Sequence, residues 1–110
     1  MTVQHEGAGM PELPYRWDSY DVDVIWFAWD DVLNGSTIQT STFVIGANWT
    51  EVETYQSQSI TDEAGTTFSA ANGILASTTD TSGIHTISNR VTLSDGRQYE
   101  RSVRVRVAQQ

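Results

Sequence analysis

Carboxylates dominate the chemistry available to this chain, with fourteen acidic residues against six arginines and no lysine or cysteine. Seven of the acids fall in three groups: Asp18, Asp21 and Asp23, then Asp30 and Asp31, then Glu51 and Glu53. Two carboxylates on one strand face, as the spacing of Glu51 and Glu53 predicts, are the minimum for general acid and base work on a glycosidic bond. Any solvated strand face shows the same spacing, so it assigns no catalytic residue. The run "DSYDVD" offers hard oxygen ligands but lacks the glycine turn and terminal glutamate of a calcium loop, and no metal is expected there. His5 and His85 have no partner at metal-ligand spacing, and no Ser-His-Asp arrangement is suggested by chain order. Absence of cysteine removes disulfides, thiolate metal sites and a cysteine nucleophile. The residues therefore read as those of a non-enzyme with no cofactor.

The cations are less evenly spread. In "SDGRQYERSVRVRV" stand Arg97, Arg101, Arg104 and Arg106, with Arg90 just upstream. Residues 1–89 hold twelve acids against Arg16 alone, a balance of −11, and residues 90–110 hold five arginines against Asp95 and Glu100, a balance of +3. A surface with that balance repels phosphate backbones and anionic membranes, so neither nucleic acid nor membrane is an expected partner. The first twenty residues lack the basic flank and apolar run of a leader or anchor, which makes assembly in the cytoplasm the expectation. The N-x-S/T triplets at Asn34 and Asn48 then carry no weight.

The elements that must position these groups are short strands. A chain of 110 residues is expected to make one domain. Residues 1–20 hold both prolines, Pro11 and Pro14, and little periodicity, and read as an extended N-terminal arm that orders on a partner and is dispensable for folding. Residues 21–110 carry the segments "VDVIWFAW", "TIQTSTFVI", "NWTEVETY", "TTFSA", "GILAST", "GIHTISNRVTL" and "RQYERSVRVRV". They are rich in β-branched and aromatic residues and punctuated at Asn34-Gly35, Gly46-Ala47, Asn72-Gly73 and Asp95-Gly96. Seven such strands predict an all-β fold, a single immunoglobulin-like antiparallel β-sandwich. Only Asp30 to Leu33 has room for a helical turn.

Register can be worked out for the last hairpin. A two-residue turn at Asp95-Gly96 sets Leu93 against Gln98 and Val91 against Glu100, core side chains against polar ones. A three-residue loop with Gly96 in the left-handed position pairs Leu93 with Arg97, Val91 with Tyr99, Asn89 with Arg101 and Ile87 with Val103. On the other face Arg90 then meets Glu100, and Arg104 and Arg106 point outward beside Thr86 and Ile84. Asn89, Arg90, Gly96, Glu100 and Arg101 are thus expected to be structural, and Arg97, Arg104 and Arg106 remain for a partner. Trp26 and Trp29 belong to an apolar strand and are expected in the core, whereas Trp17 and Tyr20, at the root of the arm, suit anchoring in a neighbouring subunit.

The segment "HTISNRVTLSDGRQYERSVRVRV" resembles the closing hairpin of small immunoglobulin-like proteins of tailed bacteriophages, the fiber-tail adaptors. It does so through Ser88, Asn89, Arg90, Gly96, Arg97, Glu100, Arg101 and Ser102. "FAWDDVLNGSTI" is similar to that family's aromatic strand, short loop and Gly-x-Thr-Ile strand start, with Val32 standing where the family's loop has a tryptophan. The resemblance covers roughly residues 22–107. It implies a virion structural protein, an adaptor joining the tail hub or tube to the tail fiber. The implied partners are other tail proteins, the fiber and further copies in a ring, and the implied location is the phage tail after assembly in the host cytoplasm. The alternative is a carbohydrate-binding or adhesion sandwich, including a capsid decoration, since exposed aromatics on such folds stack sugars.

Overall fold

The computed structural model describes residues 2–4 and 15–108, with side chains from Arg16 onward. Their elements are β1 (Thr2–Gln4), β2 (Tyr15–Asp18), β3 (Val22–Ala28), α1 (Asp30–Leu33), β4 (Ile38–Val44), β5 (Trp49–Thr61), β6 (Thr67–Thr78), β7 (Ser82–Leu93) and β8 (Gln98–Ala108). Two four-stranded sheets face each other, one ordered β1-β3-β6-β5 and the other β2-β8-β7-β4. Setting β2 aside, this is the four-plus-three strand order of an immunoglobulin-like sandwich.

The alternation read from sequence determines the core. Ile25, Phe27, Ile74, Ile87, Val91, Val103, Val105 and Val107 point inward from both sheets and close around Trp17, Trp29 and Trp49. Apolar residues at every second position leave one wet and one dry face on each sheet, and two dry faces can be buried only against each other.

Three expectations change. The chain joins the sandwich before residue 21: β1 pairs with β3 and β2 with β8, both in parallel, whereas the other pairings are antiparallel. No hairpin links either N-terminal strand to its neighbour, so nothing imposes the antiparallel direction that a tight turn requires. Residues 15–20 are therefore not an arm outside the fold, while residues 5–14 lie outside the described residues.

The second change is at Asn72-Gly73, which is not a turn. "TTFSA" and "GILAST" run together as the single strand β6. A Cβ on Gly73 would come within 2.7 Å of the Trp26 ring, so glycine is there because an indole lies against the strand. Trp26 itself is the third change: it sits half-buried on the outer face of its sheet, while Trp29 is fully buried as expected. The helical turn at Asp30–Leu33 is present and is closed by Asn34 and Gly35, both with positive φ, so that dipeptide caps a helix instead of turning a hairpin.

Candidate functional site

The closing hairpin has the register worked out above. Leu93 and Arg97 are joined by a backbone hydrogen bond of 2.8 Å, and Gly96 has φ 92. Val91 pairs with Tyr99, Asn89 with Arg101, Arg90 with Glu100, Ile87 with Val103, Thr86 with Arg104 and Ile84 with Arg106. Arg90 Nε donates to Glu100 Oε2, an exposed ion pair on the outer face.

Asn89 is completely buried, and its amide is fully used. Its Oδ1 accepts from Trp29 Nε1 at 2.8 Å and from Asn72 Nδ2 at 3.1 Å, while its Nδ2 donates to Ser41 Oγ at 2.9 Å and to the Thr42 carbonyl at 3.1 Å. Asn72 Oδ1 in turn accepts the amide of Ser57, a residue with φ 55 on β5. The two sheets are thus joined through their cores by a polar bridge whose members satisfy one another, which is the condition for burying amides at all.

Arg101 is the clamp at the α1 end of the sandwich. Its guanidinium grips both oxygens of Asp31, donates to the Ala28 carbonyl and stacks over Trp29 with 4.5 Å from Cζ to the ring centroid. Asp30 locks the same turn from its other side, accepting from the Ser69 amide at 2.8 Å, the Ser69 hydroxyl at 2.7 Å and the Ala70 amide at 3.0 Å. Burial pushes the Asp30 carboxyl up, but those three donors outweigh it and hold it below its ordinary value.

The expected partner residues divide. Trp17 is 1% exposed, edge-on to Trp49 with ring centroids 5.2 Å apart, and so belongs to this chain's own core and to no docking surface. The "YRWD" alternation that marks β2 is too short to outweigh the prolines before it, which is why the sequence read it as arm. Arg97 is also spent internally: Nε on Asp95 at 2.7 Å, Nη1 on the Tyr99 hydroxyl at 3.2 Å and Nη2 on the Leu33 carbonyl at 2.8 Å. The Asp95 carboxylate holds the Arg97 guanidinium above its ordinary value, and the Arg97 amide and side chain hold the Asp95 carboxyl below its own. Arg104 is half-buried and already engaged. Tyr20, in the turn before β3, is 93% exposed, and Arg106 is exposed on the outer face.

What sequence spacing did not reveal is the position of Arg16. The β2–β8 register places Arg16 directly beside Arg106, two exposed arginines on adjacent strands of one face. Farther along that face, Thr40, Thr42, Arg90, Thr92, Gln98 and Glu100 line an open depression of about 510 Å³. On the opposite sheet Trp26 packs against Tyr55 with centroids 5.5 Å apart, and the Tyr55 hydroxyl donates to Glu53 Oε2 at 3.1 Å.

The acids show no catalytic geometry. A bulge on β5 sets Glu51 opposite Ala76 and Glu53 opposite Leu75, so the two carboxylates fall on different faces of the strand. Asp18 and Asp21 are tied into their own turn, with Asp18 Oδ1 on the Tyr20 amide and Asp21 Oδ2 on the Asp18 amide. Among the described residues, no group of three His, Cys, Asp or Glu side chains is placed to hold a metal, and no helix is long and apolar enough to cross a membrane. His85 lies over the β6–β7 turn with Nε2 3.4 Å from Asp80. No family model matches this chain, and no curated protein matches it.

Proposed function

We propose that this protein is a structural, non-enzymatic component of a bacteriophage tail, an adaptor between the tail hub or tube and the tail fiber, assembled in the host cytoplasm and carried in the virion. The observation that carries the reading is the closing hairpin. The residues of its resemblance to the fiber-tail adaptors are those that build one end of the domain: Asn89 bridges the sheets, Gly96 makes the turn, Arg90 pairs with Glu100 and Arg101 grips Asp31. Exposed Tyr20 and the Arg16–Arg106 pair supply surface for neighbours. The test is direct. Antibody labelling of purified particles should place the chain at the tail, and particles made without it should lack fibers. Particles that carry fibers in its absence would refute the adaptor role.

A second reading, a carbohydrate-binding or adhesion module, is favoured by one observation: the Trp26–Tyr55 pair with Glu53 beside it on an outer sheet face, the combination of ring and carboxylate that can hold a sugar. A glycan array separates the two, because an adaptor gives no signal and a lectin gives one that Trp26→Ala abolishes.

A further inference from the structure

A guanidinium over an aromatic ring, with a carboxylate beside it, recurs within this chain. Arg101 lies 4.5 Å over Trp29 and is held by Asp31, and Arg97 lies 5.9 Å over Tyr99 and is held by Asp95. The groups suit one another because the ring face is electron-rich, the guanidinium is planar and weakly hydrated, and the carboxylate accepts from its edge. In both places the chain supplies all the parts.

On the outer face of the other sheet the ring and the carboxylate stand together without the cation. The register aligns Trp26 of β3, Gly73 of β6 and Tyr55 of β5 in one row, and Val24, Leu75 and Glu53 in the next. Trp26 lies against the Gly73 backbone, where a Cβ would come within 2.7 Å of its ring, and the Tyr55 ring is beside it with centroids 5.5 Å apart and planes 31° apart. Glycine inside a central strand weakens the sheet, and here it leaves room for an indole to lie across it. Glu53 Oε2 accepts from the Tyr55 hydroxyl at 3.1 Å, which fixes the carboxylate at the rim of the rings, and its Oε1 has no partner among the described residues.

No arginine of the same sheet can complete the set. The six arginines stand on β2, β7, β8 and the loop between the last two, and there is no lysine. Strands β3, β5 and β6 carry Asp23, Glu51 and Glu53 and no cation, so the field over this sheet favours a positive group arriving from outside. A neutral sugar would use the rings and gain nothing from that field.

We infer that the Trp26–Tyr55 pair, with Glu53 at its rim, is the docking site for an arginine side chain presented by a partner protein. The inference deepens the adaptor reading, on which it rests for the existence of a partner, by stating what the partner's surface must offer. It is tested on the purified full chain, so its failure leaves the adaptor reading to the labelling of particles.

The probe is the blocked peptide acetyl-Gly-Arg-Gly-amide, with citrulline in place of arginine as its uncharged counterpart, added at millimolar concentration in about 50 mM salt and followed by NMR. The arginine peptide should shift the Trp26 indole N–H and the Tyr55 ring resonances and leave the indoles of Trp17, Trp29 and Trp49 in place. The citrulline peptide should bind about 10-fold more weakly, and Trp26→Ala and Glu53→Gln should each raise the dissociation constant about 2- to 10-fold. Glu51→Gln makes the same charge change on the other face of β5 and should bind as the parent does. Glu53 is exposed on an edge strand, so its variant keeps the test valid if Trp26→Ala perturbs the sheet. An unmoved Trp26 indole, a citrulline peptide that binds equally well, or equal weakening by Glu51→Gln and Glu53→Gln would each overturn the inference. Glycan binding that Trp26→Ala abolishes, in a chain that ignores the arginine peptide, would overturn it in favour of the sugar reading.

Discussion

Replacing Arg101 with alanine takes out the clamp between α1 and the sheets, and its cost can be worked out from the groups it leaves behind. The side chain makes a two-pronged, charge-assisted contact with Asp31, a hydrogen bond to the Ala28 carbonyl and a cation–π contact with Trp29. The Arg101 and Asp31 side chains are only 16% and 23% exposed, so truncation takes the guanidinium away from a carboxylate that is poorly hydrated. A charge-assisted hydrogen bond is worth about 1.5–3 kcal/mol, and stacking over an indole adds about 0.5–1. With some allowance for solvent reaching the pair, the expected loss is about 3 kcal/mol, or roughly 12 °C in melting temperature for a domain of this length. Urea unfolding followed by tryptophan fluorescence reads the loss directly, with Arg104→Ala as the comparison, expected to cost about 1 kcal/mol or less. A double-mutant cycle with Asp31→Ala should return a coupling of about 1–3 kcal/mol. If Arg101→Ala costs under about 1 kcal/mol, or no more than Arg104→Ala, the guanidinium does not clamp the turn.

Other consequences follow from the same contacts. Trp17→Ala should cost about 3–5 kcal/mol in chemical denaturation, through the cavity it leaves against Trp49, and removal of residues 1–20 should destabilise the domain at least as much; an unchanged midpoint in either would mean that β2 is not part of the fold. Gly73→Ala should cost about 1–3 kcal/mol and shift the tryptophan emission, because the new methyl needs the space the Trp26 ring occupies, and a silent substitution would show that the ring moves freely. The Asp30 carboxyl, held below its ordinary 3.8, contributes stability that is fully present above that pH and is lost as pH falls through it toward the folded value. Asp30→Asn should therefore lower stability at neutral pH and flatten the acid limb of the profile as pH falls through and below about 3.8, and two parallel profiles would contradict the assignment.

Alternation and turn residues were enough to predict the β-sandwich and the whole of the last hairpin. One shift of register there would have exchanged Val91, Ile87 and Val103 for polar neighbours, and only the three-residue loop with Gly96 avoided it. The same features also located the helical turn at Asp30–Leu33, the internal role of Arg101 and the burial of Trp29, because each depended on alternation or on residues near in the chain. Partners distant in sequence were decided by the tertiary structure alone. Arg101 finds Asp31, Asn89 finds Trp29 and Asn72, and Arg97 finds the Leu33 carbonyl only once two sheets have been laid together. Trp17 and Arg16 were misplaced for the same reason. A strand of four residues has too little periodicity to announce itself, and it takes its face and direction from β8, the neighbour it pairs with, so that one residue of it is sealed in the core and the next is left beside Arg106 in water.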